Sequence, residues 1–269
     1  MKIWGDSSKF SKLFFISKFS FFPYKKRSMK KLTLLFFCLF FNVSFSQIKN
    51  GSVVYSVTPV ETESNLDKMS QGIAPGLMDR VKELDFNLIF DSYNAYFDIN
   101  KKYKYDKSNE TVFAKLKIEF SGEIWQTKDS VYSDVNLGYL GNNLILKKET
   151  EKNWILHNET KKIDRFVCYK ATTEIVRVAP QKTFRFPITA WYCPEINVPF
   201  GPAGFGNLPG LILELQTKDA VFGVKTISIN PEEKIEVPKL KKGKILSEKE
   251  LDGIITRYND EKNSNNSKR

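Results

Sequence analysis

Three cysteines, Cys38, Cys168 and Cys193, are the side chains of this sequence with the most distinctive chemistry. Cys38 lies in an apolar N-terminal run typical of a cleavable leader, so the mature chain keeps the other two. An even number of cysteines in an exported protein favours a disulfide. We therefore predict a Cys168–Cys193 bond. Two free thiols that line a site or bind a metal are the alternative.

The two cysteines flank a predicted β-hairpin. Residues 166–176 and 183–192 both have strand patterns, and the Pro180-Gln181 pair between them marks a turn. If the strands pair about that turn, opposed residues have numbers that sum to 361, as those of Cys168 and Cys193 do. Directly opposed residues approach to about 5.5 Å between Cα atoms, which suits a disulfide.

Acid–base chemistry would depend on few groups. His157 is the only histidine, and neither a Gly-x-Ser-x-Gly nor a His-Glu-x-x-His motif accompanies it, so a polar strand residue is the better interpretation. Glu174, Glu195 and Glu214 are the carboxylates that could cooperate in hydrolysis. Glu214 lies in an apolar strand and, if that face is buried, its pKa should rise or it needs a cationic partner such as Arg185. A structural ion pair is the alternative role for it. The sequence predicts no catalytic residue, cofactor or metal site.

The most unusual composition lies in residues 190–215, which hold four prolines and four glycines. Glycine allows backbone angles closed to other residues and proline fixes φ, so this stretch follows one prescribed path. Its glycines do not form a phosphate loop, because they precede a strand rather than a helix and no Lys-Ser/Thr follows. We predict that Pro209 and Gly210 form the centre of a type II turn, followed by a strand buried on both faces.

The N-terminal region predicts export. A start at Met29 would be followed by two lysines, an apolar run of about ten residues and small residues before a cut after Ser46. That run is about half the length of a spanning helix, so a membrane anchor is the weaker alternative. We predict that residues 1–46 are an upstream extension plus a signal peptide. The mature protein is then periplasmic or extracellular, without a transmembrane segment.

Cleavage changes the charge and the classes of partner. The full sequence has 42 basic and 31 acidic side chains and a formal charge of +11. Residues 1–46 hold nine of the basic and one of the acidic side chains, so 33 basic and 30 acidic ones remain. A mature chain near neutrality excludes a nucleic-acid partner argued from charge.

Short strands dominate the rest of the sequence. Residues 66–84 carry an apolar stripe that predicts a short helical insertion, and residues 247–259 predict a C-terminal helix behind a Ser247–Glu250 capping box. We predict a mainly β fold, an antiparallel β-sandwich or open barrel, in one domain at 47–260 with a disordered tail at 261–269. The predicted strands besides the cysteine hairpin are 51–57, 86–90, 95–99, 112–120, 130–135, 143–146, 153–156, 210–216 and 221–229.

Several short motifs in the second half of the chain resemble those of the GLPGLI family, secreted Bacteroidetes proteins without a settled biochemical function. The motifs are WI at 154–155, TKKI at 160–163, CYKA at 168–171, AWY at 190–192, GP at 201–202 and LPGLILE at 208–214. Asn207 stands where the family name has glycine, and the second cysteine that many members carry soon after Cys168 is absent. The resemblance implies export but supplies no catalytic residues.

These features favour a non-enzymatic cell-envelope protein that binds a small ligand or an envelope partner. The candidate contact residues are Trp191, Tyr192, Leu208, Pro209 and Gly210, because aromatics beside a rigid turn form good contact surfaces. Adjacent strand residues face opposite sides, and we predict Trp191 in the core and Tyr192 at the rim. The alternatives are a carboxylate-dependent hydrolase of envelope or extracellular polymers and a structural scaffold.

Overall fold

The computed structural model describes residues 48–60, 72–135, 143–179, 181–233 and 235–266. All of them belong to the unit Gln47–Arg269. The predicted leader, with its start at Met29 and its cut after Ser46, lies outside the described residues.

Twelve strands of the described residues form a single sheet. In β1 (Asn50–Pro59), buried side chains alternate with more exposed ones, because successive strand residues face opposite sides. The other strands are β2 (Asp85–Asp91), β3 (Asn94–Ile99), β4 (Ile124–Thr127), β5 (Ser130–Val135), β6 (Leu144–Glu149), β7 (Ile155–Ile163), β8 (Phe166–Ala179), β9 (Lys182–Cys193), β10 (Leu211–Gln216), β11 (Ala220–Ile229) and β12 (Lys244–Ser247).

The strand order is β12-β6-β5-β4-β3-β2-β1-β11-β10-β9-β8-β7. Two consecutive meanders, β1 to β6 and β7 to β11, therefore meet where β1 pairs with β11. Pairing is antiparallel except between β12 and β6. The predicted mainly β, antiparallel fold is confirmed, and the sheet is open rather than closed into a barrel.

The connection from β6 to β7 shows that the sheet is strongly curved. These strands stand ten strand spacings apart in the order, about 48 Å on a flat sheet. Yet β6 ends at Glu149 and β7 begins at Ile155, a chain length of at most about 21 Å. The sheet must therefore bend until its two ends face each other, and we call these facing ends its two limbs.

The core fills the concave side of this sheet. Phe86 and Phe97 stack with ring centroids 5.2 Å apart, and Phe222 meets Phe86 edge-on at 5.6 Å. Tyr55 is fully buried, and its hydroxyl donates to the Ile212 carbonyl at 2.6 Å. Burial raises the pKa of Tyr55, so the phenol remains a neutral donor that links the two meanders.

Four helices accompany the sheet among the described residues. The first, α1, lies inside the predicted insertion at 66–84, of which residues 66–71 fall outside the described ranges. The helices are α1 (Leu77–Glu83), α2 (Lys101–Lys104), α3 (Asn109–Lys117) and α4 (Glu248–Asn266), and a 3₁₀ turn spans Pro202–Gly204.

The prediction of a strand at 112–120 is wrong, because most of these residues belong to α3. The side chain of Ser108 caps the helix by accepting a hydrogen bond from the Thr111 amide. The buried residues Thr111, Ala114 and Ile118 recur at helical steps. The local alternation of apolar and polar residues concealed that period.

Two other local predictions are confirmed. Tyr169 opposes Tyr192 and Ala179 opposes Lys182, so the β8–β9 hairpin has the predicted register. In the capping box, the Ser247 amide donates to the Glu250 carboxylate at 2.8 Å, and α4 begins directly afterwards. The helix continues to Asn266, beyond the predicted end at 259 and into the segment for which disorder was predicted.

Candidate functional site

The turn segment, residues 194–210, carries the chain from β9 to β10 under tight backbone constraint. Gly210 has a φ of 151°, and a Cβ atom there would lie 2.1 Å from the Cys193 carbonyl oxygen. Its amide donates to the Leu208 carbonyl, and the next amide donates to Ile196, so the predicted type II turn is not formed. Asn207 has a φ of 61°, which explains why asparagine can stand where the family name has glycine.

Two side chains tie the turn segment to other parts of the fold. The amide of Gln126, on β4, donates to the Gly201 carbonyl at 2.8 Å and is almost fully buried. The Trp154 indole, on the connection before β7, donates to the Gly206 carbonyl at 2.9 Å. The turn segment is irregular, so regular pairing with a neighbouring strand does not satisfy all of its backbone carbonyls. These side-chain bonds satisfy two of those carbonyls instead. The turn segment is therefore a rigid bridge between the two limbs.

Most of the five predicted contact residues are buried or half-buried in the structure and are not available as an exposed contact surface. Pro209 is exposed, whereas Leu208 and Gly210 are buried. The predicted orientations of Trp191 and Tyr192 are wrong, since Tyr192 is buried and Trp191 is half-buried. Tyr192 shares its face of β9 with fully buried core residues, whereas Trp191 faces the opposite side, where the Lys161 ammonium lies 5.4 Å from its ring.

The predicted Cys168–Cys193 disulfide is not formed, because both residues are free, fully buried thiols. The hairpin register does bring them together. Their mutual interaction raises the pKa of Cys168 and lowers the pKa of Cys193 to about 7. Opposed positions permit a disulfide without requiring one.

The three candidate carboxylates lie in different environments and do not contact one another. Glu214 holds the Lys161 ammonium 2.6 Å from both of its oxygens, so its cation is not the predicted Arg185. Arg185 instead pairs with Glu174 on the exposed face of the hairpin. Glu195 is exposed in the turn segment. The structural ion pair is therefore the role that Glu214 has.

The register also separates two of these carboxylates. Glu174 opposes Pro187, whereas Glu214 opposes Trp191. The opposed positions are four residues apart on β9, or about 13 Å at the usual rise of a strand. That separation exceeds what paired glycosidase carboxylates use, about 5–9.5 Å.

His157 lies on β7, where its Nε2 is 2.8 Å from the Thr172 hydroxyl. This contact joins two neighbouring strands and involves no carboxylate or thiol. Among the described residues, no group of three or more His, Cys, Asp or Glu side chains is arranged to hold a metal ion.

The sequence did not indicate a polar network that lies beside β3 and β4, on the face of β3 opposite to the core residue Phe97. Lys104 donates to Asp98 at 2.6 Å and to Glu123 at 2.7 Å, and the Tyr96 hydroxyl lies within hydrogen-bond distance of both carboxylates, at 2.9 and 2.7 Å. Burial and these carboxylates raise the pKa of Tyr96. Desolvation opposes ionisation of Glu123, but the bonds from Lys104 and Tyr96 outweigh it and lower its pKa. The cation and carboxylates satisfy one another, so the network holds strands together.

A cleft of about 800 Å³ lies between the two limbs of the sheet. Its floor is apolar, with Phe205 of the turn segment between the two groups of strands. The other apolar floor residues are Ile124, Val131 and Leu146 from β4 to β6 and Ile175, Phe186 and Ile188 from β8 and β9.

The rim of the cleft is charged, and most of its charges are paired. Lys148 lies 2.9 Å from Glu248, and Lys152 lies 2.7 Å from Glu149. Such exposed pairs contribute little to stability, about 0–1 kcal/mol each. They surround the apolar floor without covering it.

One end of the cleft differs from the rest of its rim. On the inner face of the β8–β9 tip, the rings of Phe184 and Phe186 lie parallel, 6.2 Å apart. The guanidinium of Arg177 and the ammonium of Lys218 lie 5.5 and 4.9 Å from the Phe186 ring, and the Lys182 ammonium lies 5.0 Å from Phe184. We call these five residues the cation–aromatic strip. Arg177, Phe186 and Lys218 line the cleft, and Phe184 and Lys182 lie beside them on the same face of the hairpin.

The sequence does contain a signal for this strip. In Thr183-Phe184-Arg185-Phe186, the two aromatics are two residues apart and must face the same side of a strand. With the correct register, Arg177 opposes Phe184 on that same face. The curvature of the sheet, which makes this face concave, could not be read from a strand pattern.

A family model described as "Protein of unknown function (Porph_ging)" matches residues 178–214, which include the strip's two aromatics and the turn segment. A comparison with curated proteins finds no match. Two solved structures, of PNGF-II in the P21 and C2 space groups, are similar at TM-scores of 0.43 and 0.42. Their identities are 14% and 15%, each match covers 77% of this chain, and this chain spans about a third of theirs. None of the described helices is both long and apolar enough to cross a bilayer.

Proposed function

We propose that this chain is an exported cell-envelope protein, related to the GLPGLI family, that binds a ligand in the cleft without catalysing a reaction on it. The observation that carries the proposal is the apolar floor of the cleft, formed jointly by both limbs and the turn segment. Ligand sites are typically clefts of about 300–1,000 Å³ with apolar walls and a few polar groups. The cleft agrees with that description in volume, and its floor residues supply the apolar part of the walls.

The proposed site replaces the surface around Trp191 and Tyr192. Tyr192, Leu208 and Gly210 are buried, so they support the cleft by fixing the turn segment. The matched range 178–214 also supports the cleft, because it supplies Phe186, Ile188 and Phe205 to the floor. The hydrolase alternative gains no such support, since Glu174, Glu195 and Glu214 have separate settings.

Binding can be tested with N-phenyl-1-naphthylamine, a neutral dye that fluoresces in apolar surroundings. We expect saturable binding to the wild type and strongly reduced binding to Ile175→Trp, because the indole would occupy the floor. The matched control is Val178→Trp, on the same strand but on its opposite face and 80% exposed, which should bind the dye normally. Equal dye binding by the two variants, or none by the wild type, would refute the proposal.

Export is tested separately. Expression of the full chain in a bacterial host, followed by mass spectrometry of the periplasmic fraction, should find a mature N-terminus at Gln47. Protein retained in the cytoplasm with an intact leader would contradict this part of the proposal and leave the binding test unaffected.

A further inference from the structure

The cation–aromatic strip gives one end of the cleft an excess of positive charge. Arg177 lies 2.5 Å from Glu119, and Lys218 lies 3.9 Å from Asp219. Asp219 is shared, because its other oxygen lies 3.7 Å from the buried ammonium of Lys117. Within the described residues, Lys182 has no carboxylate at ion-pair distance. The cations at this end therefore outnumber the carboxylates.

The aromatic rings hold these cations at the edge of the floor. A cation above a ring face is attracted by about 0.5–1 kcal/mol at exposed sites, enough to bias its position but not to neutralise it. Phe186 belongs both to the strip and to the floor, so the cationic end and the apolar surface are continuous. A molecule on the floor would thus meet Arg177 and Lys218 at one of its ends.

We propose that the ligand of the cleft is an amphipathic anion, with an apolar chain on the floor and a carboxylate or similar acidic head at the cation–aromatic strip. This inference rests on the proposed function and adds the ligand class to it. Charge-assisted bonds from Lys182 and Lys218 would stabilise the head, because hydrogen bonds to ionised groups are roughly twice as strong as neutral ones. A cationic amphiphile of the same chain length would meet repulsion at that end.

The test compares matched amphiphiles as competitors of N-phenyl-1-naphthylamine on the full mature protein. Dodecanoate should displace the dye at a concentration about tenfold or more below that of dodecyltrimethylammonium, a difference of one charged contact. The double variant Lys182→Gln/Lys218→Gln should weaken dodecanoate about tenfold more than it weakens the neutral dye. The control Lys170→Gln/Lys225→Gln removes the same charge elsewhere and should bind dodecanoate normally.

The outcomes separate the two proposals. Normal dye binding combined with equal affinity for both amphiphiles, or with dodecanoate affinity unaffected by the Lys182/Lys218 variant, would overturn the ligand class and leave the cleft as a binding site. Failure of the dye to bind the wild type would overturn both. Equal weakening of dodecanoate by the control variant would show a general charge effect, and would also overturn the assignment of the head to the strip.

Discussion

The two ends of the β8–β9 hairpin are made from the same pair of strands but have opposite properties. At the base, Cys168, Ala171 and Ala190 are fully buried. At the tip, Val178 is 80% exposed and Phe184 is 40% exposed. Hydrogen bonding between the strands is continuous, so the difference comes from their neighbours.

The registers of the flanking strands explain this contrast. β10 pairs with β9 only from Thr189 to Cys193, and β7 pairs with β8 only from Phe166 to Thr172. Beyond those residues the hairpin extends past the sheet, and its inner face borders the cleft. The base therefore supports the fold, whereas the tip has side chains free to contact a ligand. The following predictions test that division.

The largest effect is expected at the base. Gly210→Val would put a branched side chain against the Cys193 backbone at a φ of 151°, and should cost more than about 4 kcal/mol of unfolding free energy. Gly223→Ala, where a Cβ meets nothing within 4 Å, is the control. Urea denaturation of both variants measures the difference. Near-wild-type stability of Gly210→Val would mean that the turn segment yields easily.

Of the two aromatics at the base, Tyr192 should contribute more to the free energy of unfolding than Trp191. The sequence alone predicted the opposite order. Tyr192→Ala removes a buried ring and should cost about 3 kcal/mol. Trp191→Ala removes a half-buried ring with the Lys161 ammonium beside it and should cost about 1 kcal/mol. A larger loss of stability for Trp191→Ala would contradict the placement of Tyr192 on the buried face of β9 and of Trp191 on the more exposed face.

The cysteines test the base without a substitution. Alkylation in denaturant without reductant should add two labels, because both thiols are free. In the native protein, labelling should be slower by about 100-fold or more, since it requires local opening of a buried strand pair. Mass spectrometry that finds no label in denaturant would restore the disulfide.

Breaking an ion pair at the base of the hairpin should cost slightly more stability than breaking one at its tip. Lys161→Met leaves the half-buried carboxylate of Glu214 without its cation and should cost about 1 kcal/mol. Arg185→Met, which breaks the exposed pair with Glu174, should change stability by less than about 0.5 kcal/mol. Thermal denaturation of both variants gives the comparison, and equal losses would argue against a protected base.

The smallest effect on stability is expected at the tip. Phe184→Ala should change the free energy of unfolding by less than about 0.5 kcal/mol, because the ring is exposed and lies beyond the sheet's flanking strands. The same variant should weaken dodecanoate binding, since Lys182 loses the ring that positions it. A stability loss comparable to that of Tyr192→Ala would show that the tip, too, belongs to the core.

Local patterns were enough to predict most strands and the hairpin register, because alternation and turn residues are properties of neighbouring residues. They failed at 112–120, where packing selected a helix, and at β4 and β12, which were not predicted. The orientation of Trp191 and Tyr192 depends on which face of β9 is concave, and that is set by the whole sheet. For the same reason the cleft could not be located, although Phe184 and Phe186 were visible in the sequence.

The seam between β1 and β11 has a consequence for how the chain reaches this fold. Each meander consists of hairpins between consecutive strands, which form on a microsecond scale. The seam instead joins residues as distant as Gly51 and Ile229, so its loop-closure entropy must be overcome before any of its bonds form. Seam closure should therefore limit the folding rate. A chain cut within residues 150–154 would yield two fragments, each with one meander, whose reassociation would show that the seam and the other contacts between the halves hold without a covalent link.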